Sequence, residues 1–92
     1  MSLSDGDADP LISSRVRAGV LAFLSDRGAA DFTELGVALE LANNTLSSHL
    51  QRLEAAGYIE LRRGFLGRKP RTRVVLTQTG RTAWATHLDR LG

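Results

Sequence analysis

Apolar residues in the first third of the chain recur at the spacing of a helix. The stripe consists of Ile12, Val16, Val20, Phe23 and Leu24, with Leu11 and Leu21 beside it. Asp9 and Pro10 stand where an N-cap and a first helical turn are expected, and Gly28 stands where helices often end. The pattern predicts a helix from Pro10 to about Arg27, and the two flanking leucines predict a second buried face.

Two shorter helices are predicted next, joined by a tight turn at Leu41-Ala42. Asp31-Phe32 is predicted as an extended link, Thr33 as an N-cap, and Glu34 to Glu40 as a helix. Its predicted buried side consists of Leu35, Ala38 and Leu39. The third helix is predicted from about Asn43 to Ala56, ended by Gly57, and its apolar stripe consists of Leu46, Leu50 and Leu53.

The rest of the chain predicts a hairpin and a final helix. Residues 58–62 and 73–76 alternate or are apolar and are predicted to pair as strands. Between them Gly64, Gly67 and Pro70 predict a long loop. Thr77 is predicted to cap a last helix, from Gln78 to about Leu91, whose stripe consists of Trp84, Leu88 and Leu91.

The order helix, helix, helix, strand, loop, strand, helix is that of a winged helix-turn-helix, a mainly helical α+β fold in which the hairpin is called the wing. A chain of 92 residues is the length of one domain. We expect a mobile acidic tail over residues 1–9 and a winged-helix domain over residues 10–92.

Half of the chain's 12 Lys and Arg residues lie in the wing segment RRGFLGRKPRTR, residues 62–73, which contains no acid. They are Arg62, Arg63, Arg68, Lys69, Arg71 and Arg73. Like charges at this density repel one another unless a partner supplies the counter-charge. A DNA duplex supplies this counter-charge, because Lys and Arg side chains that bind its phosphates release the small cations condensed around it. The alternative is a flexible charged loop without a partner.

The outer face of the third helix carries short hydrogen-bonding side chains where a solvated face usually carries Glu and Lys. A major groove about 12 Å wide admits one helix, and donors and acceptors on that helix read the base edges. The predicted contacts on this helix are Asn43, Asn44, Thr45, Ser47, Ser48, His49 and Arg52, with Gln51 on the same face. The alternative is a polar face that only contacts solvent.

Four further residues allow two interpretations each. Phe65 and Leu66 either fold back onto the domain and anchor the wing, or Phe65 stacks on a base. His49 either donates to DNA or makes a polar contact beside the core, and His87 is interpreted as structural or interfacial. Two separate histidines without clustered carboxylates do not predict a metal site.

The composition of the chain excludes several kinds of chemical site. The absence of cysteine excludes disulfides and thiolate metal sites and fits a cytoplasmic protein. Neither a secretory signal nor an apolar run long enough to span a membrane is visible in the sequence. No catalytic constellation of serine, histidine and acid, and no paired carboxylates, stand out, so we predict neither an enzyme nor a cofactor.

The segments LSSHLQRLEAAGYIE, GFLGRKPRT and LTQTG together resemble winged-helix transcriptional regulators of the MarR and ArsR kind. The chain is most similar to the short stand-alone winged helix DNA-binding domain regulators of bacteria and archaea. The resemblance covers about Asp9 to Leu91. It implies a homodimer that binds a pseudo-palindromic operator, with one recognition helix in each of two successive major grooves.

In such regulators the terminal helices build the dimer, which here implies an interface of Ile12, Val16, Trp84, Leu88 and Leu91. The alternative is that these residues complete the core of one chain. A scaffold for protein partners, without DNA binding, is the competing function, and it predicts an exposed apolar patch.

The sequence departs from these relatives in three ways. Ala42 replaces the usual Ser or Thr cap of the third helix, so Asn43 is expected to act as the cap and to shift the helix start by one residue. Gly36 and Ala38 replace the cysteine pair of metal-sensing ArsR proteins, which excludes thiolate metal sensing. The chain is also shorter than most MarR proteins, which leaves little room for an effector pocket.

Overall fold

Four helices and a three-stranded antiparallel sheet make up the computed structural model, which describes residues 9–91. In chain order they are α1 (Arg15–Arg27), β1 (Ala29–Asp31), α2 (Phe32–Leu39), α3 (Asn43–Ala55), β2 (Ile59–Leu66), β3 (Lys69–Leu76) and α4 (Gln78–Leu91). The predicted fold class and element order are confirmed, and β1 is an addition that the sequence pattern did not indicate. The predicted acidic tail lies outside the described residues except for Asp9.

The first helix begins five residues later than predicted. The backbone oxygen of Asp9 accepts hydrogen bonds from the amides of Ile12 and Ser13, which closes a separate turn around Pro10. Ser14 then adopts an extended conformation and caps α1, because its Oγ accepts from the amide of Arg17 at 3.4 Å. Asp9 therefore caps this turn and does not cap the helix.

The end of α1 and the start of α2 follow local chemistry. Gly28, at φ 79°, closes α1 as predicted, and its amide donates to the oxygen of Leu24 at 2.6 Å. The N-cap of α2 is Asp31, and the prediction of Thr33 is wrong. Glu34 returns a side-chain oxygen to the amide of Asp31 at 3.4 Å, as in a capping box.

A tight turn separates α2 from α3. Glu40 lies in the left-handed region at φ 56°, and the amide of Leu41 donates to the oxygen of Gly36 at 3.0 Å. Of the residues predicted to be buried on α2, Leu35 is fully buried and Leu39 is half-buried. Ala38 is exposed, so that prediction is wrong.

One hydrophobic core lies between the helices and the inner face of the sheet. Its buried members are Ile12, Val20, Leu21, Leu24, Ala30, Leu35, Leu46, Leu50, Leu53, Ile59, Val74 and Leu76. The burial of Leu21 confirms the predicted second face of α1. The three α3 leucines are at most 1% exposed, and burying each stabilises the fold by about 2 kcal/mol.

The sheet has the order β1-β3-β2, and the wing is a regular two-stranded hairpin. Pairing continues from Ile59 opposite Leu76 to Leu66 opposite Lys69, so the predicted long loop is wrong. Only Gly67 and Arg68 form the turn. Gly67 has φ 65° and Arg68 has no positive φ, which is the pattern of a type II′ turn with glycine first.

The final helix approaches the start of the wing at Gly80. Thr77 caps α4 as predicted, because its Oγ1 accepts from the amide of Gly80 at 2.9 Å. The same hydroxyl donates to the oxygen of Gly57 at 2.6 Å. A Cβ on Gly80 would lie 2.1 Å from the backbone oxygen of Tyr58, so only glycine allows this approach.

We predict that Gly80→Ala destabilises the protein by about 2 kcal/mol or more, because the added methyl meets backbone that cannot move aside. Chemical denaturation measures the loss. Gly64→Ala is the matched control, because a Cβ there meets nothing within 4 Å. Equal stability of the two variants would contradict the close approach.

The turn before α1 is joined to the sheet through a side-chain pair. The hydroxyl of Tyr58 donates to a carboxylate oxygen of Asp9, which is 49 positions away in the sequence. This hydrogen bond, helped by partial burial, raises the pKa of Tyr58 to about 12. The contact thus ties the first described residue to the residue that precedes β2.

Because the folded pKa of Tyr58 is raised, the stabilisation it brings is fully present below pH 10.0 and is lost as the pH rises towards 12. Tyr58 is the only tyrosine, so tyrosinate absorbance reports its pKa directly. Asp9→Asn is expected to lower that pKa towards its ordinary value. Asp26→Asn, which removes an exposed carboxylate from α1, should leave it unchanged. An ordinary pKa in the unaltered chain would contradict the pairing.

Candidate nucleic-acid interface

The polar face of α3 points away from the core. Asn43, Asn44, Thr45, Ser48, Gln51 and Arg52 are exposed, whereas Ser47 and His49 are half-buried. The orientation follows from the leucines, because Leu46, Leu50 and Leu53 turn the opposite side of the helix inward. An exposed row of hydroxyl, amide and guanidinium groups is therefore available to a ligand as large as a duplex.

The start of α3 differs from the predicted arrangement. Ala42 itself occupies the N-cap position, at φ −68° and ψ 153°, and offers no side-chain hydrogen bond. The prediction that Asn43 takes over the cap is thus wrong. The side-chain oxygen of Asn44 accepts a hydrogen bond from the backbone amide of Thr45 at 2.9 Å. This bond fixes the orientation of the Asn44 side-chain amide.

Three of the six wing cations have carboxylate partners within the chain. Arg71 Nε and Arg73 Nη1 each lie 3.0 Å from Asp31 Oδ1, and Arg62 Nε lies 3.1 Å from Glu60 Oε1. The first two contacts follow from strand pairing, because Asp31 of β1 stands opposite Arg73 of β3. The wing therefore offsets part of its own repulsion.

These ion pairs are weak enough to be exchanged. The hydrogen bond from Arg71, together with that from Arg73, holds the pKa of Asp31 below its ordinary value. All three pairs nevertheless contact solvent, and exposed pairs of this kind contribute little stability. A phosphate could replace either carboxylate without a large loss of folding free energy.

The other three wing cations, Arg63, Arg68 and Lys69, have no hydrogen-bond or ion-pair partner among residues 9–91 and are exposed. Arg68 occupies the turn at the tip of the hairpin. Lys69 stands next to it at the start of β3. These are the positive charges of the wing that the chain itself leaves uncompensated.

Arg63 connects the wing to α3. In β2 it lies on the same face as Ile59 and Leu61, because alternate residues of a strand share a face. With Ser47, it lines a cleft of about 240 Å³ that also includes Phe32, Leu50, Leu61 and Thr72. The cationic hairpin and the polar helix thus border one concave surface. Arg62, Arg71 and Arg73 lie on the opposite face of the hairpin.

The two apolar residues near the tip are exposed. Phe65 is 74% exposed and Leu66 is 63% exposed, so the prediction that they fold back and anchor the wing is wrong. Phe65 shares the face of Arg63, and Leu66 lies on the other face. Stacking of Phe65 on a base stays a hypothesis. It can be checked by 2-aminopurine fluorescence in a bound duplex, where an unchanged signal would exclude it.

His49 is paired with a residue that the sequence analysis missed. Its Nδ1 lies 3.0 Å from Nη1 of Arg17, which is 8% exposed although it is charged. Burial, followed by the nearby charges of Arg17 and Arg52, lowers the pKa of His49. Arg17 interrupts the apolar stripe of α1, and this interruption was the only local signal of its role.

The residues predicted to form a dimer interface differ in exposure. Ile12 is fully buried in the core of the chain, so the prediction is wrong for this residue. Leu88 and Leu91 are 47% and 71% exposed, whereas Val16 and Trp84 are half-buried. The ring of His87 stacks on Trp84 with centroids 5.4 Å apart.

Two further properties concern the described part of the chain. Within residues 9–91, no group of three or more His, Cys, Asp or Glu side chains could hold a metal ion. In the same residues no helix is both long and apolar enough to cross a membrane.

Comparison with known proteins agrees with this geometry. A transcriptional regulator homologue from Pyrococcus horikoshii OT3 is 29% identical, with a TM-score of 0.89 over 97% of this chain and 88% of its own. A MarR-family regulator from Silicibacter pomeroyi is 28% identical, with a TM-score of 0.70 over 88% of this chain and 53% of its own. An uncharacterized protein of Methanocaldococcus jannaschii is 28% identical over 78 residues, which is 85% of each chain.

The family model described as "Winged helix DNA-binding domain" matches residues 16–92. The match begins one residue after the start of α1 and includes α3, the wing and α4. The chain belongs to the winged helix DNA-binding domain family.

Proposed function

We propose that the chain is a transcriptional regulator that binds double-stranded DNA sequence-specifically as a homodimer. The observation that carries this proposal is the cleft between Ser47 and Arg63, because it brings the polar helix and the cationic hairpin to one concave surface. A duplex laid against that surface meets hydrogen-bonding groups and positive charge together. The names of similar proteins, a transcriptional regulator homologue and a MarR-family regulator, support the same role.

In this proposal α3 enters the major groove. Asn44, Thr45, Ser48 and Arg52 are exposed on its outer face and contact base edges. Residues near the start of a recognition helix usually reach the bases, and the exposed Asn43 stands at that end. Ser47 and His49, on the flanks, contact phosphates.

The wing supplies the sequence-independent part of the affinity. Arg68 and Lys69 at the tip reach the backbone or the minor groove, whose narrow stretches attract cations. Arg63 contacts the backbone between the wing and α3. Arg62, Arg71 and Arg73 contact DNA only by leaving their carboxylate partners, so we assign them a secondary role.

The homodimer is proposed to form through α4 and the start of α1. Leu88 and Leu91 expose apolar surface along α4, and Val16 and Trp84 are partly covered. A second copy would bury this surface and place two copies of α3 on one face of a duplex. Half-sites about 34 Å apart would then match successive major grooves.

We expect the binding constant for duplex DNA to fall steeply with salt. Each phosphate contact contributes about 0.9 to the slope of log K against log salt. In the proposed homodimer, changing both Arg68 and Lys69 to Ala removes four cations, so it should reduce the slope by about 3 to 4 and weaken all sequences alike. Fluorescence anisotropy across a salt series measures both effects.

The matched control changes Arg27 and Arg81 to Ala. It removes the same charge from residues outside α3 and the wing, where Arg81 of α4 donates to the backbone oxygen of Ser25 in α1. This control should keep the slope of the unaltered protein. Affinity that is indifferent to salt would refute the role of the wing. The absence of duplex binding would favour the protein-interaction scaffold.

Sequence preference is expected to depend on Asn44. An asparagine that pairs with adenine contributes about 1–3 kcal/mol of discrimination between bases. Asn44→Ala should therefore change which genomic fragments are selected, whereas the Arg68 and Lys69 double variant should select the same fragments with lower affinity. Selection and sequencing of bound fragments compares the variants. Unchanged preference in Asn44→Ala would remove this residue from base reading.

A further inference from the structure

Arg17 is placed so that it can move little. Its Nε donates to the backbone oxygen of Leu11 at 2.7 Å, and its own amide is capped by Ser14. The side chain is 8% exposed, and the neighbouring Ile12 is fully buried. The guanidinium is thus held between the turn that precedes α1 and the flank of α3, where Nη1 meets Nδ1 of His49.

The chemistry of this contact determines the state of the imidazole. A guanidinium stays protonated and has no acceptor, so His49 Nδ1 must accept the hydrogen bond. An imidazole that accepts at Nδ1 carries its proton at Nε2 and is neutral. The charged groups that act on His49 are Arg17 from α1 and Arg52 from its own helix, and both oppose a positive ring.

The other ring nitrogen is available to a ligand. Nε2 of His49 has no hydrogen-bond partner among residues 9–91. Nε2 also contacts solvent. Every buried side-chain nitrogen or oxygen in residues 9–91 has a hydrogen-bond partner, so the unpaired Nε2 is not one of the buried atoms. His49 follows Thr45 by four positions and precedes Arg52 by three, so the three residues are neighbours on the helix surface.

We propose that Arg17 is a positioning residue that holds His49 as the neutral Nε2–H tautomer, so that the recognition helix presents one fixed donor to a DNA phosphate. Arg17 itself does not touch DNA. The inference rests on the proposed function, because the DNA phosphate is a ligand only if the protein binds DNA. The tautomer, in contrast, is a property of the free protein.

The tautomer is tested by ¹⁵N NMR of the histidine rings in the free protein. We expect His49 to give the pattern of a single neutral Nε2–H form at about pH 8, above the ordinary pKa of histidine. Arg17→Met should allow the two tautomers to mix. Arg17→Lys, which keeps a donor and a charge, should preserve the original form in part and serves as the second variant if Arg17→Met does not fold.

His87 is the internal control, because it is the only other histidine and it stacks on Trp84. Its signals should be the same in all variants. A mixed tautomer of His49 in the unaltered protein, or a tautomer insensitive to both Arg17 substitutions, would overturn the positioning role.

The phosphate contact is tested with two substitutions at His49. The amide nitrogen of Gln reaches the position of Nε2, whereas the shorter Asn reaches only that of Nδ1. We expect His49→Asn to weaken duplex binding roughly tenfold and His49→Gln to weaken it much less. Because a neutral donor releases no counterion, the salt slope should stay the same for both variants, unlike that of the wing variant.

The outcomes separate this inference from the proposed function. Equal affinity of the two His49 variants, in a protein that still binds DNA with a steep salt slope, would overturn the phosphate contact and leave the proposed function intact. A protein that binds no duplex at all would overturn both the proposed function and the phosphate contact. The NMR result would then still decide whether Arg17 positions His49.

Discussion

The burial of Leu46, Leu50 and Leu53 is the constraint on which the arrangement of the site depends. These three side chains anchor α3 on the core with almost no exposed surface. A helix held along one side by a narrow stripe must present its other side to solvent. The polar groups that we propose as readers of DNA are exposed because those leucines are not.

The wing combines two kinds of positive charge. Arg62, Arg71 and Arg73 lie on one face with nearby carboxylates, whereas Arg63 lies on the face towards α3 without a partner among the described residues. Since each exposed pair contributes little, the carboxylates reduce repulsion in the free protein without holding the arginines permanently. The uncompensated charge at the tip and on the α3 side is what remains to attract a polyanion.

Residues 9–17, which form the turn before α1 and the start of that helix, contact both parts of the site. Asp9 accepts a hydrogen bond from Tyr58 at the start of the wing, and Arg17 contacts both Leu11 and His49. Gly80 adds a third constraint, because α4 can approach Tyr58 only where no side chain intervenes. The positions of α3 and the wing relative to each other thus depend on residues that lie outside both elements.

The sequence by itself determined the order of the four helices and the two wing strands, the buried leucines of α3 and the place of the cationic segment. These features are local, because periodicity, caps and turn residues act within a few positions of the chain. Tertiary structure decided the features that depend on distant residues. Strand β1 has only three residues and exists because β3 pairs with it.

Pro70 and Gly64 indicated a loop, yet both lie within paired strands. In a hairpin with a two-residue turn, the pair beside the turn, Leu66 and Lys69, is hydrogen-bonded, and the next pair, Phe65 and Pro70, is not. The nitrogen of Pro70 therefore faces away from β2, and its lack of an N–H removes no hydrogen bond between the two strands. The contact between Arg17 and His49 joins residues 32 positions apart, and no local pattern could specify it.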